Sequence, residues 1–116
     1  LPSREHMALM YKAANVSLCT TVSDAGPMMV TESLTNECPV VGFDRSVILD
    51  LVTNGKNGHI VENLDTRIMA EKTLEILRSP DREKMSQSSR EAALIYHDPK
   101  IIIDKWNSIF EEVINK

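Results

Sequence analysis

Residues 16–32, VSLCTTVSDAGPMMVTE, carry the strongest indication of how this chain folds. Residues 16–21 alternate like the end of a strand, and the pair Gly26-Pro27 favours a turn. An apolar run that can open a helix then begins at Met28. The first backbone N–H groups of a helix lack partners within it, so a strand, a glycine-containing turn and a helix start together predict an anion site.

Two carboxylates, Asp24 and Glu32, stand eight positions apart at the ends of this segment. A carboxylate at either end would repel a phosphate, but it is a strong acceptor for hydroxyl groups. A site that offers N–H groups to a phosphate and carboxylates to a polyol is suited to a sugar nucleotide.

The pattern on both sides of this segment predicts helices that alternate with strands. Strands separated by helices imply parallel, right-handed crossovers, and the unalternating β-branched runs suit a sheet covered on both faces. We therefore expect a single α/β domain over residues 1–116, a partial Rossmann-like fold with a small parallel sheet of about three strands and a helical segment over about 80–116. The predicted helices are 3–14, 28–35, 46–52, 65–77, one that restarts at 79–81 and one that starts at 98–99; the predicted strands are 16–21, 39–43 and 59–62.

Local signals fix several of these boundaries. Ser3 and Asp65 are predicted N-caps, and Asp98-Pro99 combines an N-cap with a proline in the first turn. The segment Ser79-Pro80-Asp81 carries the same signal. The predicted apolar faces are Met7, Met10, Tyr11 and Ala14 on the first helix; Ile68, Met69, Ile76 and Leu77 on the fourth; Met85, Ala92, Ala93 and Tyr96 on the fifth; and Ile102, Trp106, Ile109, Phe110 and Val113 on the last.

Composition narrows the class of partner. A net charge of −4 with no basic face argues against nucleic acid and anionic membranes, and the apolar runs are too short to span a bilayer. No basic leader resembles a signal peptide. Cys19 and Cys38 do not form a disulfide framework and have no metal-ligand spacing, so we expect two buried, reduced thiols and a cytoplasmic location.

The motif also resembles a known family. Asp24-Ala25-Gly26-Pro27 followed by Glu32 resembles the acid-x7-acid signature of the retaining glycosyltransferases with the two-domain GT-B fold, the "glycosyl transferases group 1" family. The resemblance extends over about residues 3–77. Its other segments are Tyr11-Lys12-Ala13-Ala14-Asn15-Val16, Pro39-Val40-Val41, Asp50-Leu51-Val52 and Asn54-Gly55-Lys56-Asn57-Gly58.

This resemblance implies roles for the site residues. Asp24 would contact hydroxyls of the donor sugar as the catalytic residue, and Glu32 would bind the ribose of a nucleotide-diphosphate sugar. Backbone N–H groups in the turn Gly26–Met29 would contact the donor nucleotide. Pro27 has no N–H group, so the hydrogen bonds would come from the N–H groups of Met28 and Met29. Such enzymes transfer a hexose to a glycan or lipid-linked acceptor, with retention and without a metal ion or another cofactor.

The same resemblance implies a larger enzyme. In the family an Arg and a Lys that neutralise the leaving diphosphate lie in the upstream half of this domain, and the acceptor site lies in an N-terminal domain. Without those parts we expect the chain alone to be inactive. An open sheet edge and uncovered helices also predict self-association.

Two positions depart from the family pattern. Glu37 stands where a glycine usually precedes the second strand, and we expect Asn36 to take the left-handed cap instead. Asp44-Arg45-Ser46-Val47 stands where many members have a Gly-Gly pair.

Alternatives remain open for individual residues and for the function. Asp24 could simply form an Asx turn, Glu32 could be an exposed helix carboxylate, and Met28 and Met29 could be core. Arg45 could bind phosphate or be solvated, while His6, His59 and His97 suit structural or surface roles. The whole chain could be a non-catalytic interaction module; a flavodoxin-like signalling domain is disfavoured because no paired acids precede the first strand.

Overall fold

The computed structural model describes residues 2–116, and it has the predicted α/β architecture. Its three strands form one fully parallel sheet in the order of the sequence, so strands that follow one another in the chain lie side by side. The elements are α1 Arg4–Ala13, β1 Ser17–Cys19, α2 Met28–Thr35, β2 Val40–Phe43, α3 Val47–Leu51, β3 Gly58–Val61, α4 Thr66–Arg78, α5 Arg82–Tyr96 and α6 Pro99–Ile114.

The sheet separates two apolar layers because successive side chains of a strand point to opposite faces. On the central strand, Val40 packs with Leu34 and Ile48 beneath α2, α3 and α5. Val41 points the other way and packs with Ile76 of α4. All four residues of β2 are buried, as the prediction of a sheet covered on both faces requires. The two predicted thiols, Cys19 and Cys38, are buried and free, which confirms that part of the cysteine prediction.

Side-chain caps begin three helices as predicted. Ser3 and His6 form a reciprocal capping box on α1. Asp65 accepts from two N–H groups of α4, and Asp98 does the same for α6, where Pro99 lies in the first turn. These signals are local, and the helices form where the signals place them.

The start predicted for α5 was wrong. Ser79 ends α4, because its N–H bonds the carbonyl of Ile76 at 3.1 Å. The Ser79 hydroxyl then accepts the N–H of Asp81 at 3.1 Å, which closes a turn around Pro80. The helix therefore begins at Arg82 with Asp81 as its N-cap.

Helix α2 ends at Thr35 as predicted, but the residue predicted to adopt the left-handed conformation after it was wrong. Glu37, not Asn36, takes the left-handed conformation, with φ 65°. The Cys38 N–H bonds the carbonyl of Ser33 at 3.0 Å, and the Glu37 N–H bonds that of Leu34 at 3.1 Å. Both bonds define a Schellman motif, in which the left-handed residue lies one position beyond the C-cap.

The predicted helix faces are only partly buried. Met69 and Ile76 of α4 lie in the core, as do Met85 and Ala93 of α5. No residue of α6 is buried, and Trp106 is 55% exposed. The exposed members of the predicted apolar faces are Met10, Ala14, Ile68, Leu77, Tyr96, Ile102, Trp106, Ile109, Phe110 and Val113.

Candidate functional site

The candidate site lies where β1 and β2 end. In a parallel sheet the loops that follow neighbouring strands leave at the same edge, and ligands of open α/β sheets bind there. Residues 20–27 follow β1 and residues 44–46 follow β2. The segment from Asp24 to Glu32, the acidic segment, therefore begins beside the loop 44–46, where the sequence departs from the family pattern.

Asp24 forms the Asx turn that was its alternative interpretation. Its Oδ1 accepts the N–H of Gly26 at 2.9 Å, and the side chain is otherwise exposed. Among residues 2–116 no donor is bonded to Oδ2. A carboxylate has about four acceptor positions, so this turn fixes Asp24 and still leaves it able to accept from a hydroxyl group.

The turn opens directly into α2. Pro27 is buried and is the N-cap of the helix, which has no side-chain cap. The Val30 N–H bonds the Pro27 carbonyl at 3.1 Å, whereas the N–H groups of Met28 and Met29 have no acceptor within residues 2–116. The side chain of Met28 is 73% exposed, so it is not core; that of Met29 is half-buried against the core beneath α2.

Glu32 is directed toward α1. Its side chain is half-buried, and the Tyr11 hydroxyl donates to its Oε2 at 3.5 Å. Burial, followed by the nearby negative charge of Glu32, raises the pKa of Tyr11 above its usual value. The Tyr11 hydroxyl therefore stays protonated and remains a hydrogen-bond donor to this carboxylate.

The two acids do not share a cavity. Asp24 and Pro27 line a small crevice of about 10 Å³ between the two loops. Gly26 and Met28 line an adjoining cavity of about 480 Å³ that reaches the corner between α5 and α6. Glu32 lines neither of them. A nucleotide sugar that contacts both Asp24 and Glu32 would therefore have to extend across the start of α2.

Ser46 also lines the candidate site, although no motif in the sequence pointed to it. It precedes α3 with φ 49° and ψ −137°, and it lines both cavities. Its Oγ is buried and has no hydrogen-bond partner within residues 2–116. The signal that could have identified it is its position where many family members have a Gly-Gly pair. Arg45 is exposed and lines only the smaller cavity.

The three histidines lie in different environments. His6 belongs to the capping box of α1, and the His97 ring packs edge-on against Tyr96 with centroids 5.0 Å apart. His59 is buried in β3, with its Nε2 3.4 Å from Oε1 of Glu75. Burial lowers the pKa of His59 and outweighs the opposing charge of Glu75, whose own pKa is lowered chiefly by the hydrogen bond from Lys72.

Residues 2–116 contain no group of three His, Cys, Asp or Glu side chains placed to hold a metal ion. Within the same residues, every helix is too short or too polar to cross a bilayer.

Solved structures show where this fold recurs. Sucrose-phosphate synthase from Thermosynechococcus elongatus aligns with a TM-score of 0.78 and 19% identity, over 96% of this chain and 28% of that one. The pneumococcal O-GlcNAc transferase GtfA, solved in complex with UDP and GlcNAc, aligns with a TM-score of 0.72 and 22% identity, over 95% of this chain and 23% of that one. The chain thus spans about a quarter of each of these structures, and at this identity the likeness concerns the fold.

Sequence comparison gives the family. No curated protein matches the chain significantly. The model of the family described as "Glycosyl transferases group 1" matches residues 2–92, from the residue before the Ser3 cap into α5. That match includes β1, the acidic segment, the start of α2 and the loop that carries Ser46. The resemblance inferred from the acid-x7-acid segment is therefore confirmed, and the chain belongs to the glycosyl transferases group 1 family.

Proposed function

We propose that this chain is the donor-binding part of a retaining glycosyltransferase that uses a nucleotide-diphosphate sugar. The observation that carries the proposal is the arrangement at the start of α2 in a member of this family. The Asx turn fixes Asp24 directly before two N–H groups without acceptors, those of Met28 and Met29. Unpaired N–H groups at a helix start suit a phosphate, and a fixed carboxylate suits a sugar hydroxyl.

In the proposed complex each residue has one task. Asp24 orients the sugar that is transferred and is the catalytic residue, because it contacts the reacting ring. The N–H groups of Met28 and Met29 bind the donor phosphate or sugar. Glu32, held by Tyr11, accepts from the ribose hydroxyls. N–H groups of this chain and basic side chains of the larger enzyme would together meet the charge on the phosphates, so the proposal includes no metal ion or other cofactor.

The proposal extends to a larger enzyme. Because the chain spans about a quarter of the two structures it resembles, we propose that an upstream half-domain and an N-terminal acceptor domain complete the site. The upstream half would supply the Arg and Lys side chains that neutralise the leaving diphosphate. The acceptor domain would bind the glycan or lipid-linked acceptor to which a hexose is transferred. We expect the chain alone to be inactive. The free buried thiols agree with a cytoplasmic enzyme.

Binding of nucleotides tests the proposal directly. We would titrate uridine, guanosine and adenosine diphosphates and their glucose derivatives into the chain by calorimetry or ligand-detected NMR. The Glu32→Ala variant should weaken binding of the preferred nucleotide about 10-fold or more, since a hydrogen bond to a charged group contributes about 1.5–3 kcal/mol. Glu83→Ala, an exposed acid in the first turn of α5, is the matched control.

The outcomes separate clearly. Selective binding that Glu32→Ala weakens and Glu83→Ala does not would support the donor site and identify the base. Equal binding by both variants would remove Glu32 from the site. If a folded sample binds none of these ligands, recognition of the donor nucleotide by this chain is rejected. Because the proposal includes no metal ion, addition of EDTA should change none of the affinities.

A second candidate function is favoured by α6. Its apolar side chains are exposed, and the rings of Trp106 and Phe110 stack on one another with centroids 5.7 Å apart. An exposed apolar face of this kind marks an interaction surface. The alternative is therefore a non-catalytic interaction module that self-associates through α6.

A further inference from the structure

The backbone at Ser46 has a conformation that favours glycine. With φ 49° and ψ −137° the residue lies in a region that a Cβ atom disfavours sterically. A serine in this conformation keeps a strained backbone that a glycine would not have. Strain of this kind collects at ligand-binding sites, where the side chain has a use.

The hydroxyl of Ser46 lacks a protein partner. Its Oγ is buried and makes no hydrogen bond within residues 2–116. Buried hydroxyl groups are normally bonded, because an unpaired one loses its bonds to water without replacement. His59 Nε2 is the other such atom in the described part of the chain, and it faces a carboxylate at 3.4 Å. Asp24 and Arg45 line the same crevice as Ser46, but neither forms a hydrogen bond with its hydroxyl.

The crevice at Ser46 fits one small polar group. Its volume of about 10 Å³ is close to the space that a single water-sized group needs. Asp24 and Arg45 line it, Cys19 and Ile48 form apolar parts of its wall, and Ser46 also lines the larger cavity next to it. A ligand in the larger cavity could therefore extend one hydroxyl group into the crevice.

We propose that Ser46 is a specificity-determining residue that donates its hydroxyl proton to one hydroxyl group of the transferred sugar. This inference rests on the proposed function, since it needs a nucleotide sugar at the start of α2. The same sugar hydroxyl donates its own proton to the carboxylate of Asp24, whose Oδ1 is already occupied by Gly26. Both partners of the hydroxyl are then satisfied: Ser46 donates to it, and Asp24 accepts from it.

This geometry predicts selection for a hydroxylated sugar. A site built to bond a substrate hydroxyl rejects an analogue that lacks it, because its own polar groups are then left unpaired. The deoxy sugar that lacks the bonded hydroxyl should bind wild-type protein about 10-fold more weakly than the parent sugar. Deoxy sugars modified elsewhere should bind like the parent.

The test compares two substitutions at one position. Affinities of the chain for a nucleoside diphosphate and for its glucose derivative are measured by calorimetry with Ser46→Ala, Ser46→Gly and the exposed control Ser108→Ala on α6. Ser46→Ala should weaken binding of the nucleotide sugar about 10-fold and leave the affinity for the nucleoside diphosphate unchanged. Ser46→Gly should show the same loss while raising the urea midpoint, because it relieves the backbone strain.

Each outcome decides the question. If wild-type protein binds the nucleotide sugar more tightly than the diphosphate and Ser46→Ala keeps that difference, the role of Ser46 is overturned and the proposed function stands. An equal loss of affinity for both ligands in Ser46→Ala would show that Ser46 contacts the nucleotide part of the ligand, and it would overturn the role of Ser46 toward the sugar. If folded wild-type protein binds neither ligand, both the role and the proposed function are rejected. A raised urea midpoint of Ser46→Gly would show that its loss of binding does not come from unfolding.

Discussion

Replacing Gly58 with alanine should separate β2 from β3. Gly58 begins β3 opposite Val40, with φ 155°. A Cβ atom added there would lie 1.9 Å from the carbonyl oxygen of Val40 and 2.9 Å from its carbonyl carbon. Both of these atoms belong to the backbone of the central strand, so no side-chain rotation can relieve the contact.

The magnitude follows from what must move. Non-bonded carbon and oxygen atoms rarely approach within about 3 Å, so the strands must part by about 1 Å at this pair. The bonds at risk are the one from the Val40 N–H to Asn57 O at 3.3 Å and one ladder bond between β2 and β3 beside the Val40–Gly58 pair. Each contributes about 1 kcal/mol, and the strained φ adds about 1–3 kcal/mol. We expect Gly58→Ala to lose about 3–5 kcal/mol of unfolding free energy.

Urea unfolding followed by circular dichroism at 222 nm measures this loss. Two other glycines separate the causes. Gly55 has φ 76° with open space around it, so Gly55→Ala should lose only the strain, about 1–2 kcal/mol. Gly26 is unobstructed and has no positive φ, so Gly26→Ala should change stability by less than about 0.5 kcal/mol. A Gly58→Ala variant no less stable than Gly55→Ala would refute the reasoning.

Two further predictions concern pH and association. Burial lowers the pKa of His59, so as pH falls through about 6.5 the unfolded chain takes up a proton before the folded chain does. The free energy of unfolding, measured in urea, should therefore decrease from about pH 7.5 to about pH 5.5. The His59→Gln variant should show a smaller decrease. An unchanged dependence in that variant would show that other groups cause it. The exposed apolar face of α6 should cause self-association that sedimentation velocity detects. Trp106→Ser and Phe110→Ser should abolish the association, whereas the control Asn107→Ser should keep it. A wild-type protein that is monomeric at about 100 μM would contradict this prediction.

The fold could be predicted where its determinants are local. The caps at Ser3, Asp65 and Asp98 act within one helical turn, and the β-branched run 39–43 identified the central strand. The apolar face of α6 was equally clear as a periodic pattern. Periodicity shows that a face is apolar but cannot show what covers it, and this face remains exposed.

The errors arose where two local signals competed. Asn tolerates the left-handed region better than Glu, which favoured Asn36 as the cap. The hydrogen bonds of the Schellman motif instead require that conformation one residue later, and Glu37 adopts it. At 79–81, the serine that could cap a new helix was already needed to end the previous one.

The candidate site could be predicted only in part. The order of strand, turn and helix was predicted from the sequence, and in the structure Asp24 precedes the unpaired N–H groups of Met28 and Met29 at the start of α2. Ser46 was missed because its importance depends on a backbone dihedral and on the lack of a bonding partner. Neither property is visible in a single sequence, but a serine at a position that is commonly glycine was the available indication.

The order of the sheet has a consequence for synthesis on the ribosome. β2 and β3 each pair with the strand made immediately before them, so these partners are only roughly 20 residues apart in the chain. Loops of this length close quickly and at a modest entropic cost. This core can therefore be assembled one crossover at a time as the chain emerges. By the time α6 is made, the strand edge beside Val40 is already covered by β3.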